Sequence, residues 1–195
     1  MADNTSHKPL IMSHGSMSYL PPRRWWQLPF RFIARTQSLS IYDQYAKGIR
    51  YFDIRLRLHK GQWVFAHGSM IFKSNISPEQ LFHILDGGNN VHVRLVLEYN
   101  NPTNNIDYIS NQFTYHCDIW RKSFPSITFF EFTRKYDWRK LYTYADEPIP
   151  TMYQAISSMA GRRILCWWPW LYAWINNKDT IAQGSNKDIL SIDFV

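Results

Sequence analysis

The run Arg50-Tyr51-Phe52-Asp53-Ile54-Arg55-Leu56-Arg57-Leu58 constrains the fold more than any other part of the chain. Read as a strand, its alternation puts Tyr51, Asp53, Arg55 and Arg57 on one face and Phe52, Ile54, Leu56 and Leu58 on the other. The apolar face demands a packed layer, and the ionisable face then has two homes. In a β/α barrel the apolar face packs on helices and the charges point inward, where an unpaired charge costs several kcal/mol or more. In an antiparallel sheet with one wet face, the same strand is an edge and Asp53 and Arg55 are solvated.

The order of the remaining elements favours the barrel. Residues 10–16 read as a strand and 19–30 as a Pro- and Trp-rich loop. A helix is expected over about 38–47, started by Ser38 or Ser40 and ended by Gly48. After the strand at 50–58 and the Lys60-Gly61 turn comes another at 62–66. Ser77 caps a helix with Pro78 at its first position and Gln80 placed to close a capping box; Gly87-Gly88 end it. A strand at 91–99, a helix at 105–122, a strand at 127–132, a helix at 152–159 and strands at 163–168 and 189–194 complete the order. Such alternation implies a mostly parallel sheet, so the expectation is an α/β fold built as a small, incomplete (β/α) TIM-type barrel with its site at the strands' C-terminal ends. It is small because the chain has 195 residues, where complete barrels run to about 250. With 45% hydrophobic and 17% aromatic residues it can bury one core, and residues 1–195 are read as a single domain.

Two strands close on a histidine followed by glycine and serine: His14-Gly15-Ser16 and His67-Gly68-Ser69. A histidine at a strand's C-terminal end, with glycine admitting a ligand, suits acid/base chemistry, although either one alone is more often structural. Combined with Asp53 and Arg55 the pair suits in-line transfer at phosphorus. One histidine deprotonates the attacking hydroxyl, the other protonates the leaving oxygen, and the arginine binds the phosphoryl oxygens.

The segment 48–58, from Gly48 to Leu58, resembles the second barrel strand of bacterial phosphatidylinositol-specific phospholipases C. Ser13-His14-Gly15-Ser16-Met17 is similar to that family's first-histidine motif, Phe65-Ala66-His67-Gly68 to its second, and Ser191-Ile192-Asp193-Phe194-Val195 to its final strand. Order and spacing agree from His14 to about Tyr99. The resemblance implies His14 as general base, His67 as general acid, Arg55 as the phosphate-binding cation, Asp53 as its acidic neighbour and Asp193 as the carboxylate that orients His14. It also implies cleavage of phosphatidylinositol or a similar phosphodiester lipid to diacylglycerol and a phosphorylated, cyclic headgroup.

The departures matter as much. Gly15 stands where the bacterial family has an aspartate supporting the second histidine, so His67 lacks that partner. In calcium-dependent relatives the positions of Gly15, Asp53, Arg55 and Glu98 all supply oxygen ligands; here only Asp53 and Glu98 could coordinate, and Arg55 puts a cation where the metal would sit. No metal or other cofactor is therefore expected. Glu98 stands where the bacterial relatives place a basic headgroup contact; it could pair with Arg55, meet a substrate hydroxyl or be solvated. Glu98, Arg57 and Trp168 are the substrate-side candidates. The chain between 168 and 189 is too short for the remaining β/α units of the family, so inositol recognition is not carried over.

The formal charge of +7 and pI of about 9.4 call for an anionic partner. Basic residues occur as scattered pairs such as Arg23-Arg24, Arg121-Lys122 and Arg162-Arg163, with no recognition helix or zinc-finger spacing, so nucleic acid is not expected. Arg23, Arg24, Trp25 and Trp26 share the loop after the first strand, and Trp167, Trp168, Trp170, Tyr172 and Trp174 cluster later. Tryptophan beside arginine suits a membrane interface, and the loop is read as a membrane contact; ordinary packing is the alternative, more so for the later cluster. Cys117 and Cys166 read as reduced, buried thiols. Residues 1–9 are polar, without the apolar core of a signal peptide, and no run approaches about 18 apolar residues. The expectation is a cytoplasmic monomer that meets a membrane peripherally.

Three functions compete: this lipid phosphodiesterase, a non-catalytic relative that binds anionic lipid, and a metal-assisted glycerophosphodiesterase-like barrel. The last needs a carboxylate cluster, and Arg55 argues against it.

Overall fold

A computed structural model describes residues 10–98, 106–133, 142–143, 151–155, 168–183 and 188–195. The strand β1 (Leu10–Ser13) lies between β2 (Tyr51–His59) and β9 (Asp188–Ile192), parallel to both. On the far side of β2 come β5 (Val91–Leu97) and then β6 (Ile127–Thr133), and beyond β9 comes β8 (Thr151–Ala155), all again parallel. The hairpin strand β3 (Gln62–His67) runs antiparallel to β2, followed by β4 (Met70–Ile71), while β7 (Tyr142–Thr143) pairs antiparallel with β6. The sheet is therefore mixed, and among the described residues it stays open between β7 and β8. A closed barrel is not shown.

The alternation in β2 resolves in favour of burial on both faces. Phe52, Ile54 and Leu56 are fully buried in the core, and Asp53 on the other face is buried as well. The helix α3 (Pro78–Asp86) forms through the capping box: Ser77 Oγ accepts from Gln80 N, and Gln80 Oε1 accepts from Ser77 N. It sends Leu81, Phe82 and Leu85 into the core. The helix α4 (Ile106–Ser123) buries Phe113, Cys117 and Trp120, one stripe at helical spacing. Phe82 meets Trp120 and Phe129 edge-on with ring centroids 5.2 Å apart. Each such ring contributes on the order of 2–3 kcal/mol by leaving water. This layer fixes β2 and β5 against helices and forces their polar side chains to the opposite face.

Several expectations need correction. Residues 14–16 leave the first strand, because Gly15 adopts φ +54° and bends the chain. Residues 25–30 of the expected loop form a 3-10 turn (Trp25–Phe30) that runs into the one-turn helix α1 (Arg31–Ala34). The helix α2 is only Ile41–Ala46, capped by Ser40. Where the expected helix at 152–159 begins there is β8, whose five residues pair with β9, the ladder overriding the helical pattern; residues 156–159 lie outside the described residues. The expected strand at 163–168 falls, up to 167, outside the described residues, as does Cys166. Trp168 directly precedes an unanticipated helix, α5 (Pro169–Gln183). Its signal was legible: Pro169 occupies the first helical position, where proline is favoured.

Candidate active site

The site lies where two strands meet end to end along one edge of β2. In register, Met12 stands opposite Tyr51 and Ser13 opposite Phe52, so His14 follows beside Asp53. From the other direction β3 runs back along the same edge, with Leu56 opposite Phe65; continued, that register brings His67 level with Ile54. The hairpin can reverse so tightly because Lys60 and Gly61 both take positive φ, 52° and 77°. The two histidines, fifty-three positions apart in the chain, thus meet edge to face with ring centroids 5.1 Å apart.

The bend at 14–16 is bolted to β2. Ser16 N donates to Asp53 O at 2.9 Å, Asp53 N donates to Ser16 Oγ at 3.0 Å, and Gly15 N donates to Asp53 Oδ2 at 2.9 Å. The same Asp53 oxygen accepts from Arg55 Nε at 2.8 Å, and Arg55 Nη1 reaches Glu98 Oε1 at 2.8 Å. Arg94, opposite Asp53 in the register of β5, lies with Nε 3.7 Å from Asp53 Oδ1. Asp53, Glu98 and Arg94 are buried. A buried charge persists only when paired, and this guanidinium fork between two carboxylates meets that condition. Burial alone would raise the Asp53 carboxyl, but the Arg55 and Arg94 cations outweigh it and hold it well below the usual range. Burial alone would lower Arg55, and Asp53 and Glu98 outweigh that, keeping it above its ordinary value. Burial lowers Arg94 to about 10 against the pull of Asp53.

His14 Nδ1 and Asp193 Oδ1 are 2.5 Å apart, both side chains buried. Burial, then Arg55 and His67, hold the imidazole below its ordinary value, with Asp53 opposing. Burial raises the Asp193 carboxyl against Arg55. The short contact shares one proton between Nδ1 and Oδ1, and Nε2 is the ring nitrogen turned away from Asp193. That atom is buried, 3.9 Å from Asp53 Oδ2, with no hydrogen-bond partner among the described residues. His67 is pushed down to about 4 by burial and by Arg55, with Glu98 and Asp53 opposing. Its Nδ1 likewise has no partner.

The position of Gly15 is closed to a side chain. A Cβ there would stand 2.6 Å from Thr36 Oγ1 and 3.2 Å from His67 Cδ2. Thr36 Oγ1 donates instead to the His14 carbonyl at 2.8 Å. The space beside His67 is thus taken by a hydroxyl already committed to the backbone.

The structure gathers His14, Asp53, Arg55, His67, Glu98 and Asp193 into one cluster. Arg57 adjoins it differently: its Nη2 donates to Gly68 O and its Nε to Glu98 O at 3.4 Å, tying the turn after His67 to the end of β5. Trp168 sits on the rim with its ring 6.4 Å from Phe32, outside the hydrogen-bonded cluster. Arg23, Arg24, Trp25 and Trp26 are all exposed, Trp25 by 81%, and Arg24 stacks over the Trp26 ring at 5.8 Å. Between this rim and His67 runs a groove of about 470 Å³ lined by Trp26, Phe30, Ile33, Ala34 and Met70. Sequence reasoning missed Arg94, Thr36 and Gln37. Arg94 was within reach, since it shares its strand face with Glu98, four residues on.

No family model and no curated protein sequence matches the chain. Among solved structures it is similar to the phosphatidylinositol-specific phospholipase C of Listeria monocytogenes, with a TM-score of 0.56 over 97% of this chain and 89% of that one. The two are 18% identical. The chain has that enzyme's fold. Two structures of the S. aureus phosphatidylinositol-specific phospholipase C give TM-scores of 0.44 and 0.41, at 16% and 17% identity, over 66% and 68% of this chain and 48% and 51% of theirs.

Proposed function

We propose that this protein cleaves a phosphodiester lipid, phosphatidylinositol or one like it, by internal attack of a hydroxyl next to the phosphate. The observation that carries the reading is the pair of imidazoles at 5.1 Å beside a guanidinium held by two carboxylates at 2.8 Å. His14 Nε2 takes the proton of the attacking hydroxyl, and Asp193 stabilises the imidazolium that forms. The hydroxyl oxygen bonds to phosphorus, the bond to the leaving oxygen breaks, and His67 gives that oxygen its proton. Arg55 faces the phosphoryl oxygens, its third nitrogen left over from the two carboxylates. His67 is neutral at pH 7 in the ligand-free protein; the incoming phosphodiester anion raises its affinity for a proton and so arms the acid.

The groove beside His67 suits an apolar alcohol leaving group, and the exposed rim suits the lipid surface that supplies it. The Listeria and S. aureus structures bear the name of phosphatidylinositol-specific phospholipase C, which agrees with this substrate class. The guanidinium occupies the space between Asp53 and Glu98, so the proposed reaction uses no metal. A second reading, an anionic-lipid-binding module without turnover, is favoured by the lack of a carboxylate partner on His67.

Release of diacylglycerol from phosphatidylinositol vesicles, measured with and without chelator, tests the reading. Turnover is expected to survive chelation and to collapse in Arg55→Lys, which keeps a cation but loses the fork. Loss of activity in chelator with recovery in calcium sinks the metal-free assignment. Vesicle binding without release of product establishes the second reading.

A further inference from the structure

We propose that Gln37 is a positioning residue, the bolt that sets the His14–Asp193 contact. His14 and Asp193 lie one residue beyond the ends of β1 and β9, where the ladder that aligns the two strands has run out. The last ladder pair is Ser13 with Ile192, followed by a bond from His14 N to Ile192 O at 3.0 Å. Past this point the backbone must be held by something else.

Gln37 supplies the hold. Its side chain is fully buried. Its amide nitrogen forks, donating to His14 O and to Ile192 O, each at 3.1 Å. Its amide oxygen accepts from Val195 N at 3.1 Å. One carboxamide therefore binds the carbonyl of the histidine, the carbonyl just before the aspartate and the amide two residues after it. Every polar atom of the group is used, and a flip of the amide would break all three bonds. Gln37 is itself fixed, since its backbone N–H donates to Ser18 Oγ at 2.8 Å. Thr36 reinforces it from the next position, bonding His14 O through its hydroxyl and accepting from Phe194 N at 2.7 Å.

The consequence is geometric. The 2.5 Å Nδ1–Oδ1 approach joins residues 179 positions apart, each one residue past the last ladder pair. Misplacement by about 1 Å of groups acting on a reacting centre can lower turnover about 100-fold. The proposal rests on the reading of His14 as the base, but the contact itself can be observed without any substrate.

Two variants test it in the full chain: Gln37→Met, which keeps the length and removes the three side-chain hydrogen bonds, and Gln37→Glu, which keeps the accepting oxygen and removes the donors. The direct readout is the proton NMR resonance of His14 Nδ1–H, shifted downfield by a carboxylate partner and assigned by its disappearance in Asp193→Asn. Both variants are expected to fold by circular dichroism and to lose or markedly broaden that resonance. On a phosphodiester that the wild type turns over, kcat falls about 10- to 100-fold while KM moves less than about threefold. Failure of the substrate assay in the wild type overturns the function; the resonance still reports on Gln37. A wild-type resonance in folded Gln37→Met overturns the proposal. So does failure of both variants to fold, because Gln37 is then a core residue and not a positioning one.

Discussion

His67 ties the stability of the protein to the state of its site. Burial and the Arg55 cation bring its pKa down to about 4 from an unfolded value of 6.5, so between those values the unfolded chain binds more protons. Stability is therefore complete above about pH 6.5 and falls as the pH drops toward 4, by on the order of 2 kcal/mol after allowing for the water that reaches the ring. His67→Gln removes the titrating group, and its urea midpoint is expected to change less than that of the wild type over this window. Equal slopes would mean that His67 titrates as if exposed. Removal of His14 or His67 as alanine should lower turnover by about 10²- to 10⁴-fold without unfolding the protein. A folded variant within about threefold of wild type would take its histidine out of the mechanism. Arg55→Ala removes the guanidinium that bridges Asp53 and Glu98, leaving Asp53 to Gly15 N and the more distant Arg94, and is expected to cost up to about 3–5 kcal/mol, read as a lower denaturant midpoint. An unchanged midpoint would place those carboxylates in contact with solvent. At this scale the sequence was generous: the histidines, Asp53 and Arg55 announce themselves by residue type and strand position. Thr36 and Gln37 do not, because a buried hydroxyl or amide has no pattern until the chain that it bonds is in place.

Elements were legible where periodicity and capping agreed. The capping box at Ser77 and the alternation in β2 carry two independent signals each, and both appear as expected. The segment 152–159 carried only a helical spacing, and a parallel partner in β9 turned residues 151–155 into a strand. The antiparallel course of β3 was hidden as well, although the Lys60-Gly61 turn was visible, because the rule that strands and helices alternate draws attention to parallel partners. The rim is the element whose sequence most directly names its environment. Trp25, Trp26, Leu28, Phe30 and Phe32 stand exposed there, and the face of α5 adds Trp170, Trp174 at 75% exposure and Ile175. Phe32 against Trp168 joins the two groups. Exposed rings in such number beside Arg23 and Arg24 are the feature on which the proposed membrane contact rests. Replacing Trp25 and Trp26 together by alanine is expected to weaken binding to anionic vesicles about tenfold or more, with little change on a soluble phosphodiester. Equal vesicle binding would mean that these rings serve another contact.

Across the whole molecule, the sheet order explains why the site draws on both ends of the sequence shown. β1 lies centrally, between β2 and β9, so whatever ends β1 meets the ends of both neighbours. Asp53 and Arg55 come from one side and Asp193 from the other, and no local segment contains the assembly. Among the described residues no helix is long and apolar enough to cross a membrane, and the formal charge of +7 favours an anionic partner. Asp193 is the residue through which this long-range order reaches His14. Its carboxylate touches only one side of the imidazole, at Nδ1, while Nε2 on the other side faces Asp53 at 3.9 Å. Asp193→Asn keeps the shape and removes the charge that stabilises imidazolium. The His14 pKa, already below its ordinary value, should therefore fall further, and turnover should drop while KM holds. NMR titration of His14 in the folded variant is the measurement. An unchanged titration would reduce Asp193 to a structural contact, and with it the case that the order of this sheet was built around the pair.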